Sequence, residues 1–168
     1  PEGIGQIHWA PVLFVRISKA GKCIGKKFAS RYYDSFSYGA LMYCVADGDM
    51  NVAFSSCADH TSLLPAPSHS VEELDIETNV FEVQKNDELI FGFPKVNYAR
   101  MVPSGGELLK EMIEDAICKA SKLTSLRIGD YMAVELTPVC PLASREESEV
   151  SFKATFCGNG LYDLKLIF

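Results

Sequence analysis

The chemically capable side chains of this chain are scattered, and the tightest grouping is Cys57-Ala58-Asp59-His60, which joins a thiol, a carboxylate and an imidazole. A cysteine nucleophile needs its base in spatial contact, which adjacency along the chain does not provide. The histidines His8, His60 and His69 form no H-x-x-x-H pair, and no G-x-S-x-G sequence is present. The sequence therefore gives no direct support to a helical zinc site or to a serine hydrolase with a nucleophile elbow.

Two polar segments suggest binding sites, and each has a structural explanation that we favour. The acidic segment 72–77 carries carboxylates that could bind a divalent cation. Because charge runs are usually solvated, we interpret it as a surface loop that leads into a strand. Residues 103–106 precede a helical pattern and could hold an anion at a helix N-terminus. Ser104 and Glu107 match a capping box, which already accounts for this segment.

The elements that would position these side chains are mostly strands. Residues 25–38 and 107–121 have apolar residues at helical spacing, and we predict that they form the two main helices. Residues 55–70 contain turn-forming residues around Pro65 and Pro67 and are predicted to be a loop. Alternation, β-branched and aromatic residues, and hairpin turns predict strands at 12–18, 40–45, 76–83, 88–93, 131–136, 151–156 and 161–168. The predicted fold class is α+β and β-rich.

Composition limits the possible classes of protein. The chain has 168 residues, of which 48% are hydrophobic and 23% are charged, and its formal net charge is −6. This is enough for the core of one compact domain and excludes bulk disorder. The acidic balance argues against nucleic-acid binding, and no apolar run approaches the roughly 18 residues of a membrane span. Six cysteines without a C-x-x-C pair, together with the lack of a signal-peptide pattern, indicate free thiols in a cytoplasmic protein.

Two stretches of the chain resemble a known family. Arg31-Tyr32-Tyr33-Asp34 follows the strand Val15–Ile17, and Leu126-Arg127-Ile128-Gly129-Asp130 is followed by Leu136-Thr137-Pro138. In this order and spacing they are similar to the fumarylacetoacetate hydrolase superfamily, in which an L-K-x-G-D turn precedes a strand that ends in G-T-P. The resemblance extends from Ile7 to the C-terminus and is greatest to the small single-domain hydrolases and isomerases of bacteria. It implies a mixed β-roll or sandwich with two main helices.

The resemblance also implies a metal site that this sequence does not preserve. Family members bind Mg²⁺, Mn²⁺ or Ca²⁺ through carboxylates and cleave or isomerise β-diketo acids and related 2-oxo acids. Their first two ligands lie in an H-x-E-x-E strand, which corresponds to His8-Trp9-Ala10-Pro11-Val12. Ala10 and Val12 thus replace the two glutamates, and Leu41 replaces the aspartate that supplies the third ligand. We therefore expect no bound metal ion and no cofactor.

The rest of the family pocket is also incomplete. His8 matches the family histidine, Asp59 stands in the segment that corresponds to the family's Lys-x-Phe-Asp, and Thr137 matches the substrate-contacting threonine of G-T-P. The glycines that flank this threonine are replaced by Leu136 and Cys140. Such glycines permit close approach of the backbone to a substrate, so their loss suggests that the loop no longer has this role. We take His8, Asp59 and Thr137 as the candidate residual pocket.

Three hypotheses about function follow, and we favour the first. In the first, the chain is a catalytically inactive family member, a binding or structural protein without a metal ion. In the second, it is an active hydrolase, isomerase or decarboxylase of a β-diketo or 2-oxo acid. Its site would then have moved to carboxylates such as Asp47, Asp49 or Asp59, with Mg²⁺, Mn²⁺ or Ca²⁺ as cofactor. In the third, it is a β-rich binding domain unrelated to the family. The sequence does not identify the small-molecule ligand under any of them.

The resemblance further implies a homodimer, because family members are typically dimers. The acidic balance and the lack of a long apolar run predict no nucleic-acid or membrane partner. Tyr32, Tyr33, Phe36 and Tyr38 would suit a subunit contact. Since the family motif arrives as early as His8, residues 1–168 are predicted to form a single family domain without the usual N-terminal segment.

Overall fold

The computed structural model describes residues 3–46, 59–74, 78–93 and 106–168. Strands dominate these residues, and two helices accompany them, α1 (Lys26–Ala29) and α2 (Gly106–Leu123). The strands are β1 (Ile4–Ile17), β2 (Tyr33–Ala46), β3 (Ser62–Leu63), β4 (His69–Ser70), β5 (Phe81–Lys85), β6 (Glu88–Phe93), β7 (Tyr131–Glu135), β8 (Cys140–Ser144), β9 (Glu149–Phe156) and β10 (Asn159–Ile167). The predicted β-rich α+β fold with two helices is therefore confirmed. Neither of the described helices is long and apolar enough to cross a membrane.

The strands form two antiparallel sheets. The first has the order β3-β2-β1-β7, with β4 also paired to β2 and β8 also paired to β1. The second has the order β10-β9-β5-β6. Along one edge of β1, the pairing with β2 runs from Ile4 opposite Ala46 to Ile17 opposite Tyr33. Along the other edge, β8 and β7 pair with the first and second halves of β1. β1 is therefore the centre of the first sheet.

The central strand β1 buries apolar side chains on both of its faces, because successive residues of a strand point to opposite sides of the sheet. Trp9 and Leu13 on one face belong to the main core, which contains residues of both sheets and of α2. Ala10, Val12 and Phe14 on the other face belong to a separate, smaller cluster. The candidate metal-ligand positions on β1 thus lie on the face away from the main core.

Aromatic contacts join the two sheets in the main core. The Trp9 ring lies 5.2 Å from the Phe152 ring in an edge-to-face arrangement. Tyr38 on the first sheet stacks on Phe81 of the second, with ring centroids 5.0 Å apart. The predicted apolar stripe of α2 contributes the buried residues Leu109, Ile113 and Ile117.

The helix predicted over residues 25–38 is wrong in most of its length. Within this range the chain is helical only in α1, and residues 33–38 already belong to β2. Phe36 and Tyr38 lie opposite Val15 and Leu13 on β1, so aromatic residues that fit a helical spacing also fit the period of a strand. Aromatic side chains pack well on a sheet, and the long pairing with β1 favours the strand over the helix.

The subunit contact predicted through Tyr33, Phe36 and Tyr38 is also wrong, because these side chains are buried in the core of this chain. Tyr32 is partly buried and packs against the same core. The error has the same origin as the predicted helix, since an exposed helical face was expected where a core strand lies. The homodimer itself stays a prediction.

Several strand predictions are confirmed with shifted ends, and the three strands β3, β4 and β8 were missed. β1 begins at Ile4 rather than at residue 12, and the part of the predicted loop from residue 59 contains β3 and β4. β8 was not predicted, since Pro141 within it is unusual for a paired strand. The turn between β9 and β10 uses Cys157 and Gly158, whose φ angles are 49° and 78°.

Tyrosines whose phenol is shielded from water make the fold sensitive to alkali. Burial raises the pKa of Tyr33 to about 12, and burial also raises the pKa of Tyr38 and of Tyr162. The unfolded chain releases phenolic protons near a pH of about 10, whereas the folded chain retains them. The unfolded state therefore binds fewer protons above that pH, and we expect the free energy of unfolding to fall as the pH rises further.

Denaturant unfolding at a series of pH values from about 8 to about 11, combined with phenolate absorbance, measures this loss. The Tyr38→Phe variant is the control, because it lacks one of these phenols and should lose less stability over the same range. Phenolate formation from all tyrosines near a pH of about 10 with the fold intact would contradict the expectation.

Candidate functional site

The positions that the resemblance assigns to the metal ligands come together in the structure. Ala10 and Val12 lie on the same face of β1 and are fully buried, with 0% exposure. Leu41 on β2 lies directly opposite Ala10. We call the apolar group that they form the β1 cluster; its members are Ala10, Val12, Phe14, Leu41, Tyr43, Ala133 and Val139.

Gly39 permits close packing at the β1 cluster. It lies opposite Val12 on β2. A Cβ atom at this position would approach the Phe14 ring to 2.8 Å and would collide with the carbonyl oxygen of Leu63 in β3. The lack of a side chain therefore lets Phe14 and β3 lie against β2 at this point.

A polar pair borders the β1 cluster. The Tyr43 hydroxyl on β2 donates a hydrogen bond of 2.7 Å to Oε1 of Glu135 on β7. Tyr43 lies opposite His8 and Glu135 lies opposite Val12, so this bond crosses the central strand diagonally. Burial, and then the hydrogen bond and charge of Glu135, raise the pKa of Tyr43. The phenol is therefore protonated at neutral pH and holds the exposed carboxylate in one orientation.

His8 lies at the other end of the same face of β1. It is opposite Tyr43 on β2 and opposite Pro141 on β8. Its Nε2 atom is 3.2 Å from Oε1 of Gln6, within hydrogen-bond distance. An imidazole, a phenol and a carboxylate thus border one apolar cluster, and such groups can orient a small molecule by hydrogen bonds.

The other two residues of the candidate residual pocket lie in flanking segments. Leu136 continues the pairing of β7 by donating its amide to the Pro11 carbonyl at 2.9 Å, and half-buried Thr137 follows it. The Thr137 hydroxyl donates to the Pro138 carbonyl at 3.3 Å. Asp59 is exposed in a turn that precedes β3. Within the described residues, no hydrogen bond or ion pair joins His8, Thr137 and Asp59 to one another.

Tyr43 and Glu135 are the polar site residues that sequence reasoning missed. Each lay within a predicted strand, at 40–45 and at 131–136. Alternation along β2 places Leu41 and Tyr43 on the same face, which was a usable signal. No local pattern in the sequence indicates that β2 and β7 pair with opposite edges of β1. The hydrogen bond between Tyr43 and Glu135 was therefore not predicted.

The donors at these positions do not fit a divalent metal ion. The side chains of alanine, valine and leucine have no oxygen that can bind a hard cation. The nearest carboxylate of the cluster border, Glu135, already accepts the Tyr43 hydroxyl. Among the residues that the structure describes, no group of three or more His, Cys, Asp or Glu side chains is arranged to hold a metal ion. Asp47 and Asp49, named in the second hypothesis, and Cys57 lie outside the described residues.

Comparison with known proteins identifies the fold. No protein-family model and no curated protein sequence matches the chain. Among solved structures, the chain is similar to a protein from Yersinia pestis CO92 assigned to the fumarylacetoacetate hydrolase family. The TM-score is 0.69 and the identity is 17%, over 99% of this chain and 75% of that one.

Two further solved structures are similar to the chain. A maleylpyruvate hydrolase from Sphingobium sp. SYK-6 is similar with a TM-score of 0.66 and 15% identity, over 97% of this chain and 54% of that one. A fumarylpyruvate hydrolase from Pseudomonas aeruginosa, solved with Mn²⁺ and pyruvate, is similar with a TM-score of 0.66 and 17% identity. That match covers 99% of this chain and 67% of the enzyme. The chain therefore has the fold of fumarylacetoacetate hydrolase family proteins, as the sequence resemblance implied.

Proposed function

We propose that the chain is a divergent member of the fumarylacetoacetate hydrolase superfamily that keeps the scaffold without the carboxylate metal site. In this proposal it serves as a non-enzymatic binding or structural protein. The observation that carries the proposal is the β1 cluster, in which Ala10, Val12 and Leu41 meet at the positions that the resemblance gives to the three metal ligands.

The three replacements are compatible with one another in a buried site that holds no metal ion. Carboxylates clustered in a buried site repel one another and are costly to desolvate unless a cation compensates them. Apolar side chains at the same positions pack against each other and remove this cost. With all three carboxylates replaced, the site therefore needs no ion to be stable. Replacing one carboxylate alone would leave the other two uncompensated.

The same change removes the source of catalysis that the family uses. A divalent ion polarises the oxygens of a 2-oxo acid and stabilises the developing negative charge. In the Pseudomonas aeruginosa fumarylpyruvate hydrolase, the structure includes both Mn²⁺ and pyruvate. In this chain, Glu135 places a negative charge next to the corresponding face, which disfavours an anionic ligand that has no cation beside it.

The second candidate is an active hydrolase, isomerase or decarboxylase with a relocated site. The observation that favours it is the exposed carboxylate of Glu135, which is an oxygen donor next to the β1 cluster. A relocated cation site would need further donors from residues such as Asp59.

A metal titration distinguishes the two candidates. Mg²⁺ and Mn²⁺ should leave the melting temperature of the protein unchanged, and the protein should not turn over an acylpyruvate or oxaloacetate. A cation present at about 100 times its dissociation constant would instead add about 2.7 kcal/mol to the free energy of unfolding. EDTA-sensitive turnover, or a stabilisation of that size, would overturn the first candidate and establish the second.

A further inference from the structure

The basic residues of this chain are concentrated in two short segments. Residues 19–31 and 119–128 together hold eight of the 16 Lys and Arg residues and none of the 22 Asp and Glu residues. The rest of the chain therefore carries every acidic side chain. The net charge of −6 averages over this uneven distribution and does not reveal it.

The fold brings the two basic segments side by side. Gly21 and Leu126 form a bridge in which each amide donates to the carbonyl of the other residue, at 3.1 and 2.9 Å. The Cys23 amide donates to the Ser121 carbonyl in the last turns of α2, at 2.8 Å. The exposed side chains of the two segments therefore share one surface, which we call the basic face.

Most of the positive charges on the basic face are free to bind an anion. Lys26 is paired with Asp115 of α2 at 2.9 Å. Within the part of the chain that the structure describes, the other cations of the basic face form no ion pair. Lys27 and Arg31 lie over the ring of Phe28, with their charged groups 4.8 and 5.5 Å from its centroid. The ring is thus held at the surface between two cations.

Large apolar side chains project from the basic face. Leu123 is the last residue of α2 and is 88% exposed. Ile128 is 66% exposed. It lies in a tight turn that Arg127 and Asp130 close, with the Asp130 amide donating to the Arg127 carbonyl at 3.2 Å and the Arg127 amide donating to Asp130 Oδ2 at 2.8 Å. A helix end and a tight turn are convex, so these two side chains point outward among the cations.

A membrane surface with anionic lipids accounts for both features. Lys and Arg side chains are attracted to anionic headgroups, and neighbouring apolar side chains enter the boundary between headgroups and acyl chains. An acidic peptide would account for the charges alone. The prediction of no membrane partner used the net charge and the lack of a spanning segment, whereas contact with a membrane surface depends on local charge.

We propose that the basic face binds the surface of a membrane that contains anionic phospholipids, with Leu123 and Ile128 entering the boundary between headgroups and acyl chains. The contact is peripheral, which agrees with the finding that neither described helix is long and apolar enough to cross a membrane. The proposal does not depend on the proposed function.

Sedimentation with vesicles tests the part of the charges. The wild type should bind vesicles made of equal parts of phosphatidylserine and phosphatidylcholine, should not bind pure phosphatidylcholine, and should be released by salt. The double variant Lys27→Gln/Lys122→Gln should bind about 25-fold more weakly, because each cation near an anionic surface contributes about a factor of five. The matched control is Lys153→Gln/Lys165→Gln on the second sheet, which changes the net charge equally and should bind as the wild type does.

A second pair of variants tests the part of the apolar side chains. Ile128→Ser should weaken vesicle binding about tenfold, because the side chain no longer leaves water on binding. The matched control is Ile167→Ser on β10, since Ile167 is 69% exposed and should not contact the vesicle. Circular dichroism checks that every variant is folded.

A wild type that does not bind the anionic vesicles, or that binds pure phosphatidylcholine equally well, would overturn the proposal. So would Lys27→Gln/Lys122→Gln or Ile128→Ser variants that bind like their controls. A polyglutamate peptide is the probe for the other class of partner. Binding of this peptide that depends on Lys27 and Lys122, without binding to the vesicles, would overturn the membrane contact and indicate an acidic protein partner instead.

Discussion

Replacing Val12 by glutamate is expected to lower the free energy of unfolding by about 3 kcal/mol or more. Val12 is fully buried in the β1 cluster, at a position that the resemblance gives to a metal-binding glutamate. A carboxylate at this position would lose its hydration without a cation or a donor to replace it. Chemical denaturation followed by circular dichroism measures the loss.

The dependence of this loss on pH identifies its cause. Burial would raise the pKa of the introduced carboxyl above its unfolded value of about 4.3. The unfolded state would then release the proton first, so the penalty relative to the wild type would be largest at neutral pH. It would shrink as the pH falls through the raised folded pKa. Val12→Gln is the matched control, since it adds a polar side chain of similar size without a titratable group, and its cost should not depend on pH.

Combining Ala10→Glu, Val12→Glu and Leu41→Asp restores the complete donor set in the same background. If these positions form the former metal site, Mn²⁺ should stabilise the triple variant and have no such effect on Val12→Gln. A Val12→Glu variant as stable as the wild type at neutral pH would contradict the buried, ion-free cluster on which the proposed function rests.

Replacing Phe152 by alanine is expected to lower the free energy of unfolding by about 3–5 kcal/mol. Phe152 is fully buried on β9 and contacts Trp9 of the other sheet, with ring centroids 5.2 Å apart. It also contacts Tyr162 on β10, at 5.4 Å. Removing the ring leaves a cavity between the sheets that surrounding side chains fill only in part.

Trp9 provides a direct readout of this change, because it is the single tryptophan of the chain. Its emission should shift to longer wavelength in Phe152→Ala, and its unfolding transition should move to lower denaturant concentration. Phe28→Ala is the matched control, since Phe28 is 43% exposed on α1, and its cost should stay below about 1 kcal/mol. Equal costs at the two positions would show that Phe152 does not join the sheets as described.

The elements that were predicted well are those whose local pattern agrees with their long-range contacts. The apolar stripe of α2 is long enough to identify a helix, and it is buried as expected at Ile113 and Ile117. Phe36 and Tyr38 show the opposite case, because their spacing fitted two periods and the pairing with β1 chose between them. That pairing joins distant segments, and a local pattern does not contain it.

In the candidate site, too, some features were predicted from the sequence and others were not. Ala10, Val12 and Leu41 were identified by their resemblance to family positions, and the pairing of Ala10 with Leu41 places them in one cluster. The hydrogen bond between Tyr43 and Glu135 depends on strands far apart in the chain meeting across β1. The metal titration tests whether the site binds a cation.

The central position of β1 also has a consequence for the order of folding. β1 and β2 follow each other closely and can pair early during synthesis, for example at Leu13 and Tyr38. The other edge of β1 pairs only after β7 and β8 have been made. Their residues Glu135 and Ser144 follow their partners Val12 and Gln6 on β1 by more than 100 residues. Until then the nascent hairpin exposes an apolar, unpaired edge. The growing chain is therefore most exposed to aggregation between the synthesis of β2 and that of β8, and this is the interval in which a chaperone would be most effective.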